Sequence, residues 1–236
     1  MTAIADTRSR IVAAAVALFA EQGYDATSVN QLVARAGVAN GALYHHFGSK
    51  DDLLYEVYRE LVDRQRAGLA EILARGLPPA ETLRAIVLDM VTTTAARVAE
   101  AKVFFREGYR LTDANQQRVR SARREIHDAV TELVAAAQRD GRFAAVASPE
   151  MVTFTVFGVI NELPVWYSPD GPKAPEQLAG ELADLVLAGL RAGPASEHRR
   201  DEVPEASEHR ARNERGAERV GDRSGEHAMS ARAKSR

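Results

Sequence analysis

Cysteine is absent from the 236 residues, and lysine nearly so: of 31 basic residues only Lys50, Lys102, Lys173 and Lys234 are lysine. Without cysteine there is no disulfide framework, no cysteine-ligated zinc or iron–sulfur site and no cysteine nucleophile. Long apolar runs are also missing. None reaches the ~18–20 residues of a membrane span, and the opening MTAIADTRSR lacks the basic start and apolar stretch of a signal peptide. The expectation is a soluble, cytoplasmic protein with no membrane partner. Neither charge sign is in excess: 31 Lys+Arg face 33 Asp+Glu, a net charge of −2. Taken alone, that balance argues against a wholesale basic nucleic-acid binder. A GxGxxG or GxxxxGK[ST] loop, a paired nucleophile and base, and metal-ligand spacings are all missing. The common signatures of an enzyme are therefore lacking, and no cofactor or metal is expected.

What the chain has in plenty is alanine, 42 residues of it. Alanine is the best helix former, and strand-like alternation is hard to find, so the fold class is all-α. The length allows one large domain or two small ones, with ample material for a core. The last forty or so residues differ in kind. From Ala195 to Arg236 there is no aromatic residue, and 10 Lys+Arg and 9 Asp+Glu crowd a segment with few large aliphatics. Such a segment cannot bury enough apolar surface to offset its ordering entropy, so 195–236 reads as a disordered charged tail. His198, His209 and His227 recur in it at spacings of 11 and 18 residues, which suit no single helical face. Solvated low-complexity sequence outweighs a metal-binding tail there.

The remaining chain reads as about nine helices. Asp6 or Thr7 can cap a first helix carrying Ile11, Ala15, Leu18 and Phe19 on one face, stopped by Gly23. Ser28 with Gln31 forms a capping box for a short helix to Arg35. Ala36-Gly37-Val38 is a tight turn, and a third short helix runs from about Asn40 to His46. Ser49 with Asp52 makes a second box before a long fourth helix with Leu53, Leu54, Val57 and Leu61 inward. Pro78-Pro79 interrupts. Glu81–Glu100, Val103–Tyr109 and Asp113–Arg139 follow as helical stretches. Ser148-Pro149-Glu150 starts a helix to about Leu163, where Pro164 weakens it, and a last helix spans about Pro175 to Leu190.

Residues 28–47 thus hold two short helices joined by a three-residue turn, the helix-turn-helix spacing in which the second helix can enter a DNA major groove. That helix begins with Gly41 and Ala42, where a bulky side chain would block approach to base edges. Asn40 can offer a bidentate amide to adenine, and Ala42 can meet a thymine methyl. Tyr44, His46 and Lys50 carry polar tips suited to phosphates, and Thr27-Ser28 offer hydroxyls and helix-start N–H groups to another. His45 points either to DNA or to solvent. His45 and His46 are adjacent, not four apart, which is unsuitable for a shared metal on a helix.

The run RIVAAAVALFAEQGYDATSVNQLVARAGVANGALYHHFGSKDDLL resembles the N-terminal domain of the TetR family of transcriptional regulators. It matches at Ala15, Phe19, Gly23-Tyr24, Thr27-Ser28, Ala36-Gly37-Val38, Gly41, Leu43-Tyr44, His46-Phe47, Lys50 and Leu53-Leu54, without gaps over about residues 8–58. The resemblance implies an all-helical homodimer with helix-turn-helix heads and a divergent helical body that binds a ligand and dimerises through its last two helices. It implies phosphate contacts at Thr27, Ser28, Tyr44, His46 and Lys50, with Asn40, Gly41 and Ala42 facing bases. Ala39 departs from the pattern, which often has a capping Ser or Thr there; the loss costs the third helix about 1 kcal/mol. The implied division is 1–52 for DNA, 53–194 for ligand binding and dimerisation, then the tail.

Beyond Tyr58 the residue types carry the reading. Phe104, Phe105, Tyr109, Phe154, Phe157, Trp166 and Tyr167 are half of the chain's 14 aromatics. They form either an ordinary helical core or a cavity that admits an apolar ligand. Arg106 and Arg110 follow the two phenylalanines, and Asn161 and Glu162 interrupt an apolar helix before Trp166. Those two are candidate ligand contacts or mutual structural partners. Residues 165–190 are more distantly similar to TetR regulators that sense acyl-CoA thioesters and control lipid or sterol catabolism. That likeness implies an acyl-CoA effector, its acyl part among the aromatics and Arg106, Arg110 or Arg120 near the phosphates. RVRSARRE (118–125) reads otherwise as a solvated face. The expected function is a ligand-responsive repressor released from a palindromic operator. The competing reading is a helical module acting as an activator, or one without sequence-specific DNA binding. Setting the tail aside leaves 21 basic against 24 acidic residues, and residues 1–60 carry 5 against 7, so specificity must rest on geometry and a few contacts.

Overall fold

The computed structural model describes residues 2–191, with side chains from Thr7 onward. The expected tail at 195–236, its histidines included, lies outside the described residues. Nine α-helices and one 3-10 turn make up the described fold, in the order α1 (Thr2–Gln22), α2 (Val29–Ala36), α3 (Ala42–Phe47), α4 (Lys50–Ala74), α5 (Pro79–Ala96), α6 (Val98–Glu107), the turn Gly108–Arg110, α7 (Asp113–Arg139), α8 (Pro149–Trp166) and α9 (Pro175–Leu190).

The expected punctuation holds at the head. Ser28 Oγ accepts the Gln31 N–H at 3.2 Å while Gln31 Oε1 accepts the Ser28 N–H at 2.8 Å, a complete capping box for α2. Gly37 closes α2 in the left-handed conformation, φ 64°, and Arg10 from α1 donates to its carbonyl at 2.8 Å. At α4 the box is only half made. Ser49 Oγ accepts the Asp52 N–H at 3.0 Å, but the Asp52 carboxylate takes the Ser49 hydroxyl at 2.8 Å instead of its N–H.

Several boundaries differ from expectation. The helix α1 already runs from Thr2, so Asp6 and Thr7 lie within it and not at its start. The stretch expected to run to Glu100 breaks at Arg97 (φ −132°, ψ 42°), separating α5 from α6. No glycine or proline marks that break. It follows three consecutive β-branched threonines, Thr92 to Thr94, which crowd a helix. Conversely, α8 continues past Pro164 to Trp166. A proline this close to the end forfeits one backbone bond, and the Tyr167 N–H still reaches the Leu163 carbonyl at 2.8 Å.

A continuous buried cluster runs from the head (Ile11, Phe19, Leu32, Leu43, Leu53 and Leu54) into the body (Ile86, Met90, Val130, Val156, Ile160 and Leu190). Truncating one of these leucines to alanine removes about 2–5 kcal/mol. No helix among the described residues is long and apolar enough to cross a membrane.

Candidate nucleic-acid interface and ligand cavity

The helices α2 and α3 form the expected pair, but α3 starts at Ala42 with Gly41 as its cap. Asn40 and Gly41 therefore stand in the turn ahead of it, not on the helix. Without a side-chain cap at Ala39 or Gly41, that turn is held by the Ala42 N–H donating to the Ala39 carbonyl at 2.9 Å. Leu43 and Phe47 are buried, while Asn40, Gly41, Tyr44 and His45 are exposed and Ala42 and His46 half-buried. Gly41 has an ordinary helical φ of −76°, and a Cβ built there would meet no atom within 4 Å. Neither a left-handed backbone nor close packing asks for glycine at this position. Ser28 is exposed too, its hydroxyl engaged with Gln31.

Two of the expected phosphate contacts, Thr27 and Lys50, are engaged inside the chain. Thr27 is only 1% exposed. Its hydroxyl donates to the Gly23 carbonyl at 2.8 Å and its N–H to the Tyr24 carbonyl at 3.1 Å, so both groups are used inside the chain. Lys50 folds back onto the same loop. Its Nζ donates to the Tyr24 and Thr27 carbonyls at 2.8 and 2.7 Å and lies 4.0 Å from the centre of the Tyr24 ring. Lys50 is a clamp that fixes the loop before α2, with one donor left over. Burial pulls its pKa below the ordinary lysine value, against the pull of Asp25 and Asp51.

The ligand residues expected from the sequence separate into three places. Phe104, Phe105 and Tyr109 line a cavity of about 350 Å³, together with Tyr58 of α4, Leu111 and Gln116, Val119, Arg120 and Arg123 of α7. Arg106 and Arg110 do not face it. Arg106 lies 3.7 Å from the Glu107 carboxylate and Arg110 pairs with Asp25 in the loop before α2, so both belong to the joint between head and body. Phe157, Asn161, Glu162 and Trp166 are on α8, away from the cavity wall. Phe157 is buried and stacks on His127 at 4.1 Å, Asn161 is half-buried, and Glu162 and Trp166 are exposed. The physical reason is helical phase: Phe157 faces α7, whereas Glu162 and Trp166 fall on the outer side of α8.

Sequence reasoning missed Tyr58 and Arg123. Tyr58 is 2% exposed, stacks on Phe104 at 4.6 Å between ring centres, and directs its hydroxyl to the Val103 and Phe104 carbonyls. Arg123 lies inside the run read as a solvated face. Its guanidinium sits over the Phe104 and Phe105 rings, 5.2 and 5.8 Å from their centres. The signal was present: Val119, Arg123, Ile126, Val130, Val134 and Ala137 recur at steps of three and four, so Arg123 occupies an apolar position of α7.

Residues 11–57 match the model of bacterial regulatory proteins of the tetR family, and residues 76–190 match the tetracyclin repressor-like C-terminal domain. The chain belongs to the TetR family. It is a DNA-binding transcriptional regulator, as are its named relatives. It is 27% identical over 199 residues to the HTH-type transcriptional repressor KstR2 of Mycolicibacterium smegmatis, spanning 82% of this chain and 95% of that protein. Among solved structures, the TetR family regulator PfmR of Thermus thermophilus superposes with a TM-score of 0.72 at 28% identity, covering 78% of this chain and all of PfmR. AibR, solved in complex with isovaleryl coenzyme A and operator DNA, shares the fold with a TM-score of 0.68 at 22% identity, over 76% of this chain and 97% of AibR.

Proposed function

We propose that this TetR regulator is a homodimeric repressor whose two heads read the half-sites of a pseudopalindromic operator, and that an acyl-CoA effector releases it. In this reading Asn40, Gly41 and Ala42 face bases, Tyr44 and His46 reach phosphates with Ser28, and His45 lies beside them. The observation that carries it is Gly41, an exposed glycine at the start of α3 that the fold itself does not need. The division of labour falls at about residue 52, with DNA reading before it and ligand binding and pairing after.

Pairing is supported by the outer faces of α8 and α9. Met151, Phe154, Val165, Trp166 and Leu185 are all at least half exposed there. Met151 and Leu185 share one apolar groove between the two helices, and exposed apolar surface of this kind marks an interaction site. Gly158, Gly180 and Gly189 lie within these helices with open space where a Cβ would be. Each costs a helix interior about 1 kcal/mol relative to alanine, a cost that close approach of a second copy offsets. Two-fold pairing would then match a palindromic site.

The acyl-CoA assignment rests on the likeness of residues 165–190 to acyl-CoA-sensing regulators and on AibR, a fold relative whose structure holds isovaleryl coenzyme A. In this reading the acyl group enters the cavity, and Arg120 at its rim faces the nucleotide phosphates. Release requires the effector to bind one head spacing better than the other. Two routes join the cavity to the head: α4, from the Ser49 cap to Tyr58, and the shorter link through the 3-10 turn to Asp25.

Selection of duplexes from a random-sequence library by the purified full chain tests the reading. A pseudopalindrome is expected, with affinity at fixed salt lowered at least tenfold by Asn40→Ala combined with Tyr44→Phe and relieved by an acyl-CoA. Unchanged affinity in that double variant would sink the assignment of α3 as the reading helix.

A further inference from the structure

The inside of the cavity holds one positive charge and nothing to answer it. Among the described residues Arg123 makes no hydrogen bond and no ion pair; its contacts are the faces of Phe104 and Phe105. The other lining side chains are aromatic, aliphatic or neutral, apart from Arg120 at the rim, and no carboxylate is among them. Arg120 is exposed and already donates to the Gln116 side chain at 2.5 Å. A guanidinium stays charged at neutral pH, and placing it among apolar side chains without a partner is costly. Burial accordingly pulls its pKa below the ordinary arginine value, with only the Tyr58 hydroxyl opposing. The arginines held above that value, Arg8, Arg59 and Arg110, each have a carboxylate beside them.

Resting on the reading of this cavity as the effector site, we infer that the part of the effector that enters it carries a carboxylate, held bidentately by Arg123. The planar fork of a guanidinium fits a carboxylate, and one unpaired cation asks for one negative charge. At about 350 Å³ the cavity is at the small end of the roughly 300–1,000 Å³ range of small-molecule sites. It suits an apolar chain or small ring system with an acid group, and a nucleotide head stays outside. The same chemistry has two sources: a free apolar acid, or the monothioester of a dicarboxylic acid whose free end enters first.

Titration calorimetry of the full chain with four ten-carbon probes separates the cases: decanoate, 1-decanol, decanoyl-CoA and the mono-CoA thioester of decanedioic acid. Decanoate or the dicarboxylic thioester is expected to bind at least tenfold more tightly than its uncharged-end counterpart, 1-decanol or decanoyl-CoA respectively. Arg123→Met should erase that preference, weakening the acid about ten- to hundredfold while leaving 1-decanol unchanged, and Arg123→Lys should restore part of it. Preference confined to decanoate identifies a free acid, and preference confined to the dicarboxylic thioester identifies the thioester source. Equal binding of acid and alcohol, or acid binding indifferent to Arg123→Met, overturns the inference. If decanoyl-CoA alone binds and releases the selected operator, the inference fails while the acyl-CoA reading stands. If none of the four binds, both fail.

Discussion

The Glu107 carboxylate at the end of α6 accepts the backbone N–H of Tyr24 at 3.3 Å, across 83 residues of chain. Both residues are buried, and the bond lies beside the Arg110–Asp25 ion pair. The 3-10 turn that walls the cavity is thereby fastened to the loop that orients α2. In the function proposed above, a ligand that displaces Tyr109 or Gly108 would pull on the head with no long lever between.

Glu107→Ala tests that joint. It leaves the Tyr24 N–H without its acceptor, at a cost of about 1–3 kcal/mol, and each kcal/mol lowers the Tm of a domain this size by about 2–4 °C. The expected result is a protein that still binds the selected operator but needs at least several-fold more effector for release. Glu107→Gln retains an acceptor oxygen and should recover most of both properties. Mobility shifts with and without effector, alongside thermal melts, read the two separately. A normal effector response in Glu107→Ala would move the signal onto α4.

Gly41 offers a separation of stability from function. Its φ of −76° and the open space at its Cβ position mean that Gly41→Ala should leave the Tm unchanged or slightly raised, because alanine restricts the unfolded chain more. Gly41→Leu fills the clearance ahead of α3 and is expected to weaken operator binding about ten- to hundredfold, comparable to losing one good base contact. A melt and a binding isotherm on each variant suffice. Loss of stability in Gly41→Ala would show that the glycine serves the fold.

The head was legible because its signals are local. Ser28 and Gln31 are three residues apart and Gly37 takes the left-handed turn after α2, so pattern and structure agree there. The internal bonds of Thr27 and Lys50 were not legible, for one shared reason. A hydroxyl or ammonium near a surface turn looks free in sequence, and only the loop from Gly23 to Thr27 brings the carbonyls that bind both. The cavity was half legible. Phe104, Phe105 and Tyr109 stand close in sequence, but Tyr58 and Arg123 arrive from other helices. Arg123 was hidden by the charged company of Arg124 and Glu125, although its helical phase is apolar. Trp166 failed in the opposite sense, as an aromatic residue read as pocket lining that lies on an exposed face.

His127 gives the fold a pH dependence of predictable sign. Burial, together with the nearby Arg123 charge, holds its pKa below the ordinary value, with Asp128 pulling the other way. In the unfolded chain the imidazole titrates near about 6.5. Above that pH both states are neutral and the contribution to stability is intact. As pH falls below it, the unfolded chain takes up the proton more readily than the fold, and stability declines toward the lower folded pKa. Thermal melts between pH 7.5 and 5 should show a falling Tm. In His127→Phe, which retains an aromatic ring against Phe157, that fall should be shallower. An identical slope in the variant would assign the effect to other groups.

Leu185 tests whether DNA affinity depends on pairing. It is 73% exposed on α9 and lines an apolar groove of about 200 Å³ with Met151, Val152, Val159 and Val186. Leu185→Glu removes nothing from the core, so each protomer should fold with a nearly unchanged helical signal. A two-fold interface would instead meet two buried carboxylates at once, because an isologous patch presents every substitution twice. Light scattering is expected to report half the mass of the unsubstituted protein. Operator affinity should fall by about 10²–10⁴, the gain that linking two half-site contacts provides. If Leu185→Glu remains a dimer of full affinity, the pairing surface lies elsewhere, and the glycines of α8 and α9 lose the explanation given for them.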